Sequence, residues 1–158
     1  MATRFVFDAS NAEPLASNSA QLTVRNYRPV LAFDASTNES ICFSGVVPQG
    51  WTGTITAYVW YIMASATTGN VDVDVSVESI SDGDSFDMDG DSFDTVNSTD
   101  NTNVPGTAGY PDIVSVTLTN NDFSAAGDYI RFKLTRDAVS DTATGDMHVL
   151  KMEIRDGA

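Results

Sequence analysis

Between positions 71 and 78 the chain alternates strictly, with Val71, Val73, Val75 and Val77 set against Asp72, Asp74, Ser76 and Glu78. A period of two places the valines on one face of an extended segment and the acidic and polar residues on the other, which predicts a half-buried β-strand. Weaker versions of the pattern predict further strands at 22–24, 28–33, 40–47, 54–64, 114–119, 130–135 and 148–155, and the strand at 71–78 runs on to 80. Turn chemistry separates them: Pro48-Gln49-Gly50, Gly69-Asn70, Asn120-Asn121 and Ala126-Gly127-Asp128. No long segment carries apolar residues at a helical period. About eight such strands describe an all-β protein, an antiparallel β-sandwich of jelly-roll-like type.

The segment 54–64 is apolar on both faces, Ile55, Ala57, Val59, Tyr61 and Met63 on one and Tyr58, Trp60 and Ile62 on the other. Such a strand needs cover on both sides. Residues 1–20 mix the short apolar patch 5–7 with Pro14 and small polar residues, which predicts an extended N-terminal arm. The arm or a neighbouring subunit are the two candidate covers, so Phe5, Phe7, Tyr58, Trp60 and Ile62 are the expected interface residues and a homo-oligomer, with a trimer as its expected form, is the expected state. Residues 21–158 read as one domain interrupted by a long acidic loop at 81–109.

Composition narrows the functional classes. The 158 residues are 42% hydrophobic, enough for one core. Twenty-two acidic against eight basic residues give a formal charge of −14, which repels phosphate backbones and anionic headgroups and argues against nucleic-acid or membrane partners. Cys42 is the sole cysteine, so no intrachain disulfide is available and it reads as a small buried apolar residue. No apolar stretch is long enough for a membrane span, and the first residues lack a signal-peptide h-region, so neither classical secretion nor membrane insertion is expected.

The sharpest local signal lies in the acidic loop. Gly83-Asp84-Ser85-Phe86 is repeated as Gly90-Asp91-Ser92-Phe93, and Asp84, Asp87, Asp89 and Asp91 present hard oxygen ligands of the kind that wrap Ca²⁺. The EF-hand pattern itself fails, because its sixth place holds Ser92 and its twelfth Ser98. A solvated acidic loop is the alternative. His148, the only histidine, falls in phase with Leu150, Met152 and Ile154 and reads as structural; no Gly-x-Ser-x-Gly elbow accompanies it. One His and one Cys cannot form a zinc set. Carboxylates are too abundant to single out a glycosidase pair, and no enzymatic activity is expected. Trp51, Tyr58, Trp60, Tyr61 and Tyr110 are candidates for a sugar-stacking platform, against core packing. Arg131, Lys133 and Arg136 form the one local basic concentration, either a solvated strand face or a surface that meets the acidic loop of another copy.

The phrases Val30-Leu31-Ala32-Phe33-Asp34-Ala35, Met63-Ala64-Ser65-Ala66-Thr67-Thr68-Gly69-Asn70-Val71, Pro105-Gly106-Thr107-Ala108-Gly109-Tyr110, Ala126-Gly127-Asp128-Tyr129-Ile130-Arg131 and Glu153-Ile154-Arg155-Asp156 resemble small β-sandwich, virion-associated proteins of tailed phages and environmental viruses. The resemblance spans roughly residues 28 to 158. It implies a non-enzymatic structural protein, a capsid decoration or virion appendage component, partnered by other virion proteins, on the exterior of the virion and made in the host cytoplasm. The second expectation is a Ca²⁺-dependent carbohydrate- or receptor-binding module.

Overall fold

A computed structural model describes residues 1–83 and 88–157. Among the described residues ten strands form: β1 (Ala2–Asp8), β2 (Gln21–Arg25), β3 (Arg28–Phe33), β4 (Glu39–Val46), β5 (Thr56–Met63), β6 (Asn70–Ile80), β7 (Asn97–Asn103), β8 (Asp112–Thr117), β9 (Tyr129–Arg136) and β10 (Met147–Asp156). A 3-10 turn at Ala9–Asn11 follows β1, capped by the Asp8 side chain. One sheet runs β2-β3-β10-β5-β8, with β1 also on β10; the other runs β4-β9-β6-β7, and all named pairs are antiparallel. The expected jelly-roll-like β-sandwich is what forms.

The alternating residues close the sandwich. Val71, Val73, Val75 and Val77 of β6, Ile130, Phe132 and Leu134 of β9 and Ile41 and Phe43 of β4 project from one sheet. They meet Ala57, Val59, Tyr61 and Met63 of β5, Met147, Val149, Met152 and Ile154 of β10 and Val114 and Val116 of β8 from the other. Each buried aliphatic or aromatic side chain contributes about 1.5–3 kcal/mol by leaving water. Cys42 is buried, as its apolar reading requires, and burial pushes its thiol pKa up.

Two strands were invisible in the hydrophobic pattern. Residues 1–20 are not a free arm: β1 pairs with β10 from Ala2 opposite Asp156 to Asp8 opposite Lys151, and Glu13 and Ser19 bridge to β4. Phe7 is buried, stacked at 5.1 Å on Phe43, and Phe5 stacks on Phe7 at 5.4 Å. These two rings seal one end of the core within the chain. Gly45 permits it, since a Cβ there would stand 2.7 Å from the Phe5 ring. Within 81–109, expected as one loop, residues Asn97–Asn103 form β7 without a single apolar side chain. Hydrogen bonds hold it instead: the buried Asn97 amide donates to the carbonyls of Val75 and Asn120 and accepts from the Asn120 N–H.

The polar face of β6 also differs from expectation. Asp72, Ser76 and Glu78 are buried, and Glu78 accepts from Arg131 of β9 at 2.9 Å. Phe93, in the acidic segment, lies beneath the charges of Arg131 (5.3 Å) and Lys133 (4.9 Å). Arg136 is fully buried, donating to Asp141, Gly145 and Ala143. The basic concentration therefore meets acidic and aromatic groups of its own chain.

Candidate functional site

The strands bordering β10 leave an opening in the larger sheet. On one side of β10, β3 pairs with Met147, His148 and Val149, while β1 pairs from Lys151 onward. On the other side the register with β5 shifts between Val149 and Lys151. Leu150 is thus passed over in all three pairings, a β-bulge of the kind that re-aims side chains. Where β1 ends at Asp8 and β3 begins at Arg28 and Pro29, a notch of about 350 Å³ opens over this bulge, lined also by Trp60, Leu150 and Lys151.

Register explains why Trp60 is there. Ala57, Val59, Tyr61 and Met63 point into the core, so Tyr58, Trp60 and Ile62 must point outward. Trp60 lies opposite Lys151 on β10 and Ile113 on β8 and keeps 38% of its surface open. Around its indole the polar groups are few. The Lys151 ammonium stands 3.4 Å from the Asp8 carboxylate, and the exposed Arg28 makes a long bond, 3.4 Å, to the Asn26 carbonyl. Ser10, through its hydroxyl and N–H, and then Lys151 hold the Asp8 carboxyl below the usual carboxylate range.

A second depression, of about 610 Å³, lies on the same outer face. Gln21, Thr23 and Arg25 of β2 form one wall, Ala32 and Ala64 leave its floor low, and Asp146 and His148 stand on the β10 side. Arg25 Nη1 donates to the Met63 carbonyl at 2.9 Å and lies 3.3 Å from His148 Nδ1. Burial first, and then the Arg25 charge, lower the His148 pKa below its ordinary 6.5; Asp146 opposes them. The neutral imidazole accepts from the guanidinium.

The other expected residues are placed as follows. Tyr61 is fully buried, and its hydroxyl donates to Asp112. Trp51 packs edge-on against Phe5 and donates to Ser124. Tyr58 lies under the Arg155 guanidinium at 4.2 Å. Trp60 and Tyr110 are the two of the five aromatic candidates left exposed. Asp84 and Asp87 lie outside the described residues. Asp89 is exposed, and Asp91 accepts from the N–H of Ser92; among the described residues no three His, Cys, Asp or Glu side chains converge as a metal set would. Asp8, Arg28 and Lys151 escaped sequence reasoning, because they gather only where three strands meet.

A two-sheet frame with an aromatic notch on an outer face defines a small β-sandwich with a surface able to receive a ligand. Solved structures share that frame. The chain is similar to a family 35 carbohydrate-binding module from an environmental isolate, at 14% identity and a TM-score of 0.52 over 98% of both chains. It is also similar to the CBM36-1 domain of a multidomain xylanase from the hindgut metagenome of Trinervitermes trinervoides, at 10% identity and 0.50 over 98% of both. An exo-β-1,3-galactanase from Phanerochaete chrysosporium, solved with galactose, matches at 14% identity and 0.59; it covers 98% of this chain, which spans 30% of the galactanase. No family model and no curated protein matches the sequence.

These findings correct the expected role in a capsid decoration or virion appendage, and with it the phage and virion assignment. The matched frames are those of carbohydrate-binding modules. Of the expected interface residues, Phe7 of β1 is buried in the core of its own chain and Phe5 packs against that core, while Tyr58, Trp60 and Ile62 of β5 face outward.

Proposed function

We propose that this chain is a non-catalytic carbohydrate-binding module whose sugar seat is the Trp60 notch. The carrying observation is the indole of Trp60, held partly open on β5 beside the β10 bulge and flanked by Asp8, Arg28 and Lys151. An apolar ring face beside a few convergent hydrogen-bonding groups suits a pyranose, which has an apolar face and a polar rim. The shared frame of the family 35 and CBM36-1 modules supports the same reading. Among the described residues Asp8 is the one carboxylate lining the notch, whereas glycoside hydrolysis ordinarily takes two flanking the bond. The site is therefore suited to holding a sugar and not to cleaving it.

Calorimetric titration with galactan- and xylan-derived oligosaccharides tests the proposal. Binding by the native chain, reduced about tenfold or more in Trp60→Ala with an unchanged melting temperature, is the expected result. Equal affinities in the two proteins would remove the notch as the site. Because side chains supply the notch contacts, the affinity is expected to be the same in excess chelator as in millimolar Ca²⁺; a loss on chelation would transfer the site to the acidic loop.

A further inference from the structure

We infer that the depression walled by Arg25, Asp146 and His148 is a second subsite continuous with the Trp60 notch, so that the ligand is an extended internal stretch of a polysaccharide and not a single terminal sugar. The inference rests on the carbohydrate-binding reading of the notch. It adds a site, a direction and a length requirement.

Continuity follows from the strands. His148 and Leu150 are two residues apart on the outer face of β10, one lining each depression, and Arg25 of the second is the cross-strand partner of Arg28 of the first. From Lys151 back to Met147 an extended strand advances about 13 Å, more than one pyranose ring occupies. The direction is set by β10, and small side chains keep the floor of the trough low. Ala32 lies opposite both Gln21 and His148, and Ala64 donates its N–H to the Asp146 carbonyl; a larger side chain at either position would rise into the trough.

The two depressions differ in chemistry as successive subsites would. The notch offers an indole face and the Leu150 side chain. The trough offers donors and acceptors: the Gln21 amide, the Thr23 hydroxyl, the Arg25 guanidinium and the Asp146 carboxylate. Arg25 is already fixed by the Met63 carbonyl and His148, so little side-chain entropy remains to be lost when it receives a hydroxyl. Beyond it, Gly109 donates to that same Met63 carbonyl and brings the exposed Tyr110 to this end of the sheet. A polyhydroxylated chain seated by one ring on Trp60 thus finds hydrogen-bonding partners for the next.

The test uses xylose, galactose and their oligosaccharides up to the hexasaccharide against the native chain, Ala32→Tyr, Ala64→Tyr and Trp60→Ala, each checked by thermal unfolding. The native affinity is expected to rise about tenfold or more with chain length. In either tyrosine variant the hexasaccharide is expected to bind no better than the monosaccharide, whose own affinity stays native. Two variants from different strands keep the test informative if one misfolds. A native affinity independent of length, or length dependence surviving in both variants, would overturn the second subsite while leaving the notch intact. Failure of the native chain to bind any oligosaccharide, or native affinities in Trp60→Ala, would overturn the notch and this inference together.

Discussion

Trp60 and Tyr61 are neighbours in sequence with opposite fates. The pleat sends Tyr61 into the core, where burial and Asp112 raise its phenol pKa, and sends Trp60 out to the notch. Arg136 shows how one polar residue can be held entirely inside: its guanidinium is paired with Asp141 at 2.7 Å and donates to two backbone carbonyls at 2.8 Å. Removing it leaves the Asp141 carboxylate and those carbonyls unpaired. Arg136→Ala is therefore expected to lower stability by about 3–5 kcal/mol, measured by urea unfolding, since breaking a buried pair strands its partner. At Gly45 the space is already taken by Phe5. Gly45→Val is expected to cost about 1–3 kcal/mol through overpacking, read in the same assay.

At the scale of elements, β10 organises the molecule. It pairs with β1, β3 and β5, and the place where β1 and β3 fail to meet along it is the notch. Both strands that escaped the hydrophobic pattern lack its ordinary signal. In β1 the apolar patch covers only 5–7, and Thr3, Arg4 and Asp8 around it resemble a polar tail, although Arg4 pairs with Asp156 at 2.6 Å across to β10. In β7 the side chains are Asn, Ser, Thr and Asp, residues common in turns, and the strand exists because Asn97 satisfies neighbouring backbone groups. Asn97→Ala is expected to cost about 1–3 kcal/mol and to speed amide exchange in β7 and along the facing side of β6, while exchange in β10 stays slow. Uniform acceleration through the molecule would contradict this local role.

For the whole molecule, charge and the single histidine set the response to conditions. His148 is held neutral by burial and Arg25, with a folded pKa below its ordinary value. The unfolded chain therefore takes up this proton first as pH falls. The stability that His148 contributes is present in full above about pH 6.5 and is lost as pH falls from there through the lowered folded pKa. His148→Gln is expected to flatten that part of the stability-against-pH curve, measured by thermal unfolding between neutral and mildly acidic pH. A curve identical to the native one would dismiss the linkage. The net charge of −14 opposes compaction, and moderate NaCl is expected to raise the melting temperature by screening it.

Alternation at 71–78, 130–135 and 148–155 determined the all-β class and the two-layer core, because a period of two commits every second side chain to the interior whatever the strand's partner. The sequence also marked Trp60 as an aromatic requiring an explanation. Only the tertiary structure decided that explanation. Whether an outward indole faces a neighbour, a covering arm or an open notch depends on which strands flank it, and strand order brings together residues as distant in sequence as Asp8, Arg28 and Lys151. Local pattern fixes which way a side chain points; long-range pairing fixes what it meets.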